Sequence, residues 1–163
     1  MIQGLYAITP SGLEENDLLS KTEVLLKEGI KLIQFRDKFL DKKTFQEKAH
    51  ALLKLTKKYG AKLIINDHVE ICLEISADGF HLGLEDYSSE GNVELLKKNK
   101  EFISKNLICG LSCKWNKELV VNPPENEIKW TYLAVGSFYP SNTKSTIPET
   151  NENVKRKFLS YTD

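Results

Sequence analysis

The chain has 163 residues, of which 40% are hydrophobic and 28% are charged, so a single domain with a substantial core is expected over residues 1–163. Its 23 basic and 23 acidic side chains give a formal net charge of +0, which provides no argument for nucleic acid or an anionic membrane as a partner. The apolar runs are too short to cross a bilayer, and no signal peptide is recognised. Three cysteines without a CxxC pair argue against a disulfide framework or a structural zinc site, and a cytoplasmic location is expected.

Short apolar segments recur along the chain and predict β-strands. They lack polar alternation over most of their length, which is typical of strands that are buried on both faces of a parallel sheet. Six such strands are expected, at Leu5–Thr9, Leu32–Arg36, Lys62–Asn66, Gly79–Leu82, Leu107–Ser112 and Thr131–Gly136.

Segments with helical spacing lie between these strands. The first is expected from about Asp17 to Glu28, with Gly29 after it as a stop signal. Asp41 is the expected N-cap of the second, which Gly60 ends. A third helix is expected to start at Asp67. The predicted buried stripe of the first helix is Leu18, Thr22, Leu25 and Leu26, and that of the second is Phe45, Ala49, Leu52, Leu53 and Thr56.

The alternation of strands and helices predicts a parallel sheet surrounded by helices. A closed (β/α)8 barrel needs eight strands, so about six βα units indicate a TIM-barrel-like but incomplete barrel. A doubly wound open sheet is the structural alternative, although no GxGxxG motif follows the first strand. Pro123 and Pro124 exclude a helix through their stretch, so the fifth crossover is expected to be short or irregular.

Polar residues follow the second strand, where ligands of parallel α/β proteins bind. Gln34, Arg36 and Lys38 share one side if the backbone stays extended, because side chains alternate with a period of two. One amide and two cations pointing together would make a phosphate clamp. The alternative is a solvated charge run at a strand end.

Carboxylates follow the third and fourth strands. Asp67 and Asp86 lie just past the two strand ends, and two carboxylates beside a pyrophosphate make a plausible Mg²⁺ site. For Asp67 alone, a helix cap is the competing interpretation. His81 lies within the fourth strand, where a packed, hydrogen-bonded histidine is a better interpretation than a metal ligand.

The fifth and sixth strands end in hydroxyl residues. Ser112 could donate to a phosphate oxygen or could satisfy a local backbone group. The small and hydroxyl residues of Gly136–Lys144 end in a lysine, which suits a loop that binds an anion.

The order of these motifs resembles the thiamine-phosphate synthase family, and the resemblance extends from residue 4 to about 148. The family fold is a (β/α)8 barrel. Its reaction joins hydroxymethylpyrimidine pyrophosphate to thiazole phosphate and releases pyrophosphate by a dissociative step assisted by Mg²⁺. The resembling stretches are Gly4–Thr9, Gln34–Lys38, Ile64–Asp67, Ala77–Asp86, Gly110–Ser112 and Gly136–Lys144.

The resemblance also implies roles for individual residues. Asp67 and Asp86 would hold Mg²⁺, and Thr143 would line the thiazole side of the site. Arg36, Lys38, Ser112 and Lys144 form the expected catalytic set. The residues implied to hold the pyrophosphate are Gln34, Arg36, Lys38, Asn66, Ser112 and Lys144.

Some positions depart from the family pattern. This chain has Leu84 where the family usually has Gln, Lys114 where a His is common, and Ser137 where a Pro is frequent. The family continues with two more βα units that carry a thiazole-phosphate site, for which no counterpart is recognised after a predicted helix at Asn151–Ser160.

These features leave three functions open. The first is an active synthase with small-molecule substrates. The others are a thiazole tautomerase and a non-catalytic binding or regulatory domain that retains the pyrophosphate half-site. Because the first and last predicted strands would both be edges, something is expected to cover them: the predicted Asn151–Ser160 helix, a separate partner or a second copy of the chain. A homodimer is the preferred expectation.

Overall fold

The computed structural model describes residues 4–124 and 128–136. Its strands form one six-stranded sheet in which the strand order follows the chain order. Every neighbouring pair is parallel. The strands are β1 (Tyr6–Ile8), β2 (Leu32–Phe35), β3 (Lys62–Asn66), β4 (Gly79–Leu82), β5 (Ile108–Lys114) and β6 (Tyr132–Val135).

Helices connect these strands throughout the described part of the chain. They are α1 (Glu15–Lys27), α2 (Lys42–Lys58), α3 (Val69–Ile75), α4 (Leu84–Tyr87), α5 (Glu90–Lys98), α6 (Lys100–Asn106) and α7 (Lys117–Val121). None of them combines the length and the apolar character that a bilayer crossing requires.

The sheet is curved and belongs to the barrel type. In a flat sheet the outer strands of six would be about 24 Å apart, at about 4.8 Å per strand. Yet the hydroxyl oxygens of Tyr6 on β1 and Tyr132 on β6 are only 2.8 Å apart. The expectation of an incomplete, TIM-barrel-like sheet is therefore confirmed. The doubly wound alternative is wrong, because its strand order reverses and this order does not.

The two faces of the strands differ in chemistry. On the outer face, apolar side chains such as Ile33, Phe35 and Ile65 pack into one buried cluster with the helices. The rings of Phe35 and Phe45 have centroids 4.3 Å apart, which joins β2 to α2. The inner face carries the buried polar side chain of Gln34, so polar groups face the interior of the curved sheet.

The second helix matches its sequence signals closely. Asp41 caps α2 by accepting a hydrogen bond of 3.0 Å from the backbone N–H of Thr44. Gly60 follows with a φ of 59°, a conformation that glycine adopts readily. All five residues of the predicted stripe are buried, namely Phe45, Ala49, Leu52, Leu53 and Thr56.

Other predicted features of the helices differ in detail. In α1, the side chain of Leu25 is 38% exposed, so the predicted buried stripe is wrong at that position. The third helix begins at Val69 rather than at Asp67. In the described part of the fifth crossover, the short helix α7 ends at Val121, so no helix runs through the two prolines, as expected.

Candidate functional site at the carboxyl edge of the sheet

Asp67 occupies an unusual backbone conformation directly after β3. Its φ is 65°, and its backbone N–H donates to the carbonyl oxygen of His81 on β4 at 2.9 Å. Its side chain accepts a 2.6 Å hydrogen bond from the amide of Asn66. The N-cap position of α3 is His68, which makes no side-chain cap bond. The helix-cap interpretation of Asp67 is therefore wrong.

Asp86 brings a second carboxylate close to Asp67. It lies on α4, the short helix that follows β4. Burial, together with the nearby charge of Asp86, raises the pKa of Asp67 to about 6, whereas Lys38 acts in the opposite direction. The structure thus brings together two acids and one cation that belong to three different βα units of the sequence.

Two further residues shape this carboxylate pair. The side-chain amide of Asn92 donates to the backbone oxygen of Asp86 at 2.8 Å and reaches that of Asp67 at 3.5 Å. A Cβ added to Gly83 would lie 2.8 Å from Oδ2 of Asp86. Asn92 therefore links the backbones of the two acidic residues, and a glycine at position 83 leaves room for the carboxylate of Asp86.

The donor set at this edge fits Mg²⁺. Two carboxylates that repel each other gain from a cation between them, and Mg²⁺ usually takes one or two protein carboxylates with phosphate oxygens and waters. Within residues 4–124 and 128–136, no group of three or more His, Cys, Asp or Glu side chains could hold a metal ion. The two carboxylates would supply part of the coordination shell, and phosphate oxygens and water would supply the rest.

The loop after β2 holds the predicted phosphate clamp. Arg36 is half-buried and Lys38 is exposed. The backbone N–H of Arg36 donates to the hydroxyl of Thr9 at 3.0 Å, and the hydroxyl donates to the Arg36 carbonyl at 3.2 Å. The backbone N–H of Lys38 reaches the hydroxyl of Ser11 at 3.3 Å. The first βα loop therefore braces the backbone that carries both cations.

Asp37 holds the same loop, a role that no sequence pattern indicated. It is buried, with 8% of its surface exposed. One carboxylate oxygen accepts from the backbone N–H of Gly12 at 2.8 Å, and the other accepts from that of Phe39 at 3.0 Å. Asp37 lies between Arg36 and Lys38 in the sequence, and backbone N–H groups donate to both of its carboxylate oxygens. Its role is therefore to hold the conformation of this loop.

A chain of hydrogen bonds crosses the interior of the sheet. The side-chain amide of Gln34 donates to the Tyr6 hydroxyl at 2.8 Å, and this hydroxyl lies 2.8 Å from that of Tyr132. Tyr132 in turn lies 2.9 Å from Nδ1 of His81, whose Nε2 lies 2.8 Å from the hydroxyl of Ser112. We call these five residues the inner network. It connects two predicted substrate residues, Gln34 and Ser112.

The inner network agrees with the sequence-based expectations at one residue and departs from them at others. His81 is packed and hydrogen-bonded, as the sequence indicated. Ser112 bonds to His81 rather than to a local backbone group. Sequence analysis missed the roles of Tyr6 and Tyr132, although a tyrosine in an otherwise apolar strand was an available signal. Burial raises the pKa of both phenols, so each keeps its proton at neutral pH.

The ring of Tyr132 is held in place from two sides. It stacks on His81 with centroids 5.6 Å apart and an interplanar angle of 18°. A Cβ added to Gly110 would lie 2.1 Å from Cζ of Tyr132. Position 110 therefore has to be glycine for the ring to reach its partners.

Some predicted residues fall in the part of the chain that is not described. Thr143 and Lys144, the anion-binding loop to which they belong and the helix expected at Asn151–Ser160 lie outside the described residues. Their roles stay predictions.

Known proteins resemble this chain in sequence and in fold. A family model described as thiamine monophosphate synthase matches residues 5–158. The chain belongs to the thiamine monophosphate synthase family. It is 36% identical over 143 residues to a thiamine-phosphate synthase of Janthinobacterium sp. (strain Marseille). The matched region covers 88% of this chain and 65% of that relative. It is also 36% identical over 141 residues to that of Clostridium acetobutylicum, covering 86% of this chain and 62% of the relative.

A solved structure agrees with this family assignment. The thiamine phosphate pyrophosphorylase from Pyrococcus furiosus is 30% identical, with a TM-score of 0.62, over 83% of this chain and 60% of that one. The chain thus spans about 60 to 65% of the length of the relatives just named.

Two departures from the pattern of the thiamine monophosphate synthase family lie in described positions. Leu84 is the first residue of α4, which carries Asp86. Lys114 is the last residue of β5, with a φ of 51°, and the pairing register between β5 and β6 shifts there. The third departure, Ser137, lies outside the residues that the structure describes.

Proposed function

We propose that this chain is a thiamine-phosphate synthase, a transferase that joins hydroxymethylpyrimidine pyrophosphate to thiazole phosphate and releases pyrophosphate. The observation that carries the proposal is the pair of carboxylates, Asp67 and Asp86, beside Lys38 at the carboxyl edge of the sheet. A polyanionic substrate that arrives with a divalent cation would satisfy both the acids and the lysine. Family membership supports the same reaction.

Asp67 and Asp86 are the proposed ligands of Mg²⁺. The raised pKa of Asp67 supports this role, because it reflects burial and a nearby second negative charge, both of which make the ionised carboxylate unfavourable without a cation. When bound, Mg²⁺ would neutralise negative charge on the departing pyrophosphate. Asn66 holds Asp67 through its side-chain amide and is itself proposed to reach the pyrophosphate.

Arg36, Lys38 and Lys144 are proposed to stabilise the leaving group. In a dissociative transfer, the bond between the pyrimidine methylene carbon and the pyrophosphate oxygen breaks first, and the electron pair leaves with the oxygen. Cations fixed before the reaction stabilise that charge most effectively. The bracing of the Arg36 backbone by Thr9 supports such preorganisation.

The remaining predicted residues orient the reactants. Gln34 and Ser112 are proposed to bind the pyrimidine pyrophosphate from the inner face, and Thr143 to line the thiazole side. The thiazole nitrogen then attacks the methylene carbon, and positioning supplies the catalysis. No side-chain nucleophile is required.

The test is incubation of the purified protein with both substrates and Mg²⁺ while thiamine phosphate is measured. We expect product with the unmodified chain and a loss of about a hundredfold in rate for Asp86→Asn. Glu85→Gln is the matched control, because Glu85 is an exposed neighbour on the same helix. Binding of pyrimidine pyrophosphate without any product would contradict a transferase function.

We also propose a homodimer in the cytoplasm. Leu5 and Ile8, at the two ends of the first strand, are exposed at 75% and 55%, and apolar surface beside an edge strand favours association. The three cysteines are buried and unpaired, which supports a reducing compartment. Light scattering that shows a clean monomer over a wide concentration range would contradict the dimer.

A further inference from the structure

The direction of each hydrogen bond in the inner network can be assigned, because most of its members have only one proton to donate. A side-chain amide nitrogen can only donate, and a tyrosine hydroxyl has a single proton. A neutral imidazole carries one proton, on either of its two nitrogens. The four bonds of the network, each between 2.8 and 2.9 Å, therefore constrain one another.

The direction of the chain follows from its first bond. The amide of Gln34 donates to the oxygen of Tyr6, so the proton of Tyr6 is directed to the oxygen of Tyr132, 2.8 Å away. In the reverse direction, Tyr6 would accept from both neighbours and its own proton would lie outside the chain in a largely buried site, which is costly. Tyr132 thus accepts from Tyr6 and has its own proton to give.

His81 accepts a hydrogen bond from Tyr132, and this bond sets the direction of the next one. Tyr132 donates to Nδ1 of His81 at 2.9 Å, so Nδ1 is an acceptor and the ring proton resides on Nε2. Nε2–H then donates to the hydroxyl oxygen of Ser112 at 2.8 Å. The hydroxyl proton of Ser112 consequently points away from His81 and remains to be donated elsewhere.

We infer that Tyr6, Tyr132 and His81 are positioning residues that hold Ser112 as a hydrogen-bond donor toward the bound anion. This inference rests on the proposed function for the identity of that anion, a pyrophosphate. With the opposite tautomer, Ser112 would donate to His81 and turn its lone pairs to the ligand, which would repel a phosphate oxygen. The chain of bonds therefore decides whether Ser112 attracts or repels the substrate.

The burial of the network makes the effect strong. Gln34 is 3% exposed and His81 is 7% exposed, and hydrogen bonds in a region of low dielectric constant are stronger and costlier to break than those in water. Burial raises the pKa of Tyr6 and Tyr132, so both phenols retain the protons that the chain needs. The ring of Tyr132 stacks on His81 and packs closely against Gly110, and these two contacts fix its position.

The first test needs no ligand. Nitrogen-15 NMR of the histidine-labelled protein reports which imidazole nitrogen carries the proton, and a His81→Gln variant assigns the signal among the three histidines. We expect the proton on Nε2 of His81, and a shift toward the Nδ1–H form in Tyr132→Phe. A proton on Nδ1 in the unmodified protein would overturn the inference.

The second test measures binding of inorganic pyrophosphate with Mg²⁺ by calorimetry. We expect Tyr132→Phe to weaken binding about threefold to tenfold and Ser112→Ala to weaken it about tenfold to a hundredfold. In the Ser112→Ala background, Tyr132→Phe should add less than about a twofold effect, because it acts through Ser112. Additive effects would show a merely structural role for Tyr132.

Tyr59→Phe is the matched control. It removes a hydroxyl that donates to Glu23 at 2.6 Å, beyond the end of α2, and it should change neither the His81 tautomer nor the affinity. If Tyr132→Phe does not fold, the tautomer of the unmodified protein still decides the inference. If the unmodified protein binds no pyrophosphate, the proposed function fails, whereas the tautomer measurement decides the direction of the chain independently.

Discussion

The hydroxyl oxygens of Tyr6 and Tyr132 lie 2.8 Å apart, although their strands are the first and the last of the described sheet. Tyr6→Phe should therefore destabilise the protein by about 1–3 kcal/mol, because it also leaves the buried Gln34 amide without its acceptor. Urea unfolding measures the change. Tyr59→Phe, which removes a bond to Glu23 outside the inner network, should cost less, and equal losses would show that the interior bond has no special importance.

Asp67 should make the metal-free protein less stable as the pH rises. A carboxyl whose pKa is raised on folding, here from 3.8 to about 6, binds its proton more tightly in the folded state. Its stabilising contribution is complete below about pH 4 and is lost as the pH rises through about 6. Asp67→Asn should remove this dependence and stabilise the protein near neutral pH.

The measurement is the free energy of unfolding with a chelator present, at about pH 5 and about pH 7. Asparagine also tolerates the positive φ of position 67, so backbone strain does not complicate the comparison. Glu85→Gln serves as the control. A variant Asp67→Asn that loses stability at neutral pH would contradict the predicted repulsion between the two acids.

Pyrophosphate binding should depend on Mg²⁺ through Asp86. Asp86→Ala is expected to lower the affinity about a hundredfold in the presence of Mg²⁺ and to have little effect in its absence. Titration calorimetry with and without the metal distinguishes these cases. Equal affinity of the unmodified protein under both conditions would remove the basis for a metal site at this edge.

Arg36→Ala should remove a charge-assisted contact of about 1.5–3 kcal/mol to the pyrophosphate. Binding of the unphosphorylated pyrimidine should hardly change, because it lacks the anion. Lys57→Ala, an exposed cation at the end of α2, controls for the overall charge. If both ligands bind more weakly to Arg36→Ala, the arginine has a structural role.

Gly110→Ala should be strongly destabilising although it adds a single methyl group. The added Cβ would lie 2.1 Å from Cζ of Tyr132, which forces the ring or the strand to move and costs about 1–3 kcal/mol. Gly91→Ala is the matched control, because nothing lies within 4 Å of its Cβ position in α5, and alanine there should stabilise the helix by about 0.5–1 kcal/mol. Thermal unfolding of the two variants should therefore shift in opposite directions.

Local patterns account for most of the fold that could be predicted. The cap at Asp41 and the buried stripe of α2 are encoded within a few turns of helix, and both are present. The closeness of Asp67 and Asp86 also followed from a rule, because parallel strands end at the same edge of a sheet. By contrast, Leu25 was placed on the buried face of α1, yet its exposure depends on what packs beside that helix.

Such local rules could not predict the inner network. Tyr6 and Tyr132 are separated by 126 positions in the sequence, and only the curvature of the whole sheet brings them together. The bond between His81 and Ser112 likewise depends on the register of neighbouring strands. A single strand reveals that its tyrosine faces inward, but it does not reveal the partner.

Because each strand pairs with the strand that precedes it in the chain, the sheet can grow stepwise during folding. Each step closes only a short loop, which carries a small entropic cost and favours rapid assembly. The contact between Tyr6 and Tyr132 spans nearly the whole described chain and can form only when the sixth strand has joined. The hydrogen bonds that orient Ser112 would then form after the strands that lead to Arg36 and Asp67 have paired, so a chain emerging from the ribosome would assemble its charged loops before Ser112 is fixed as a donor.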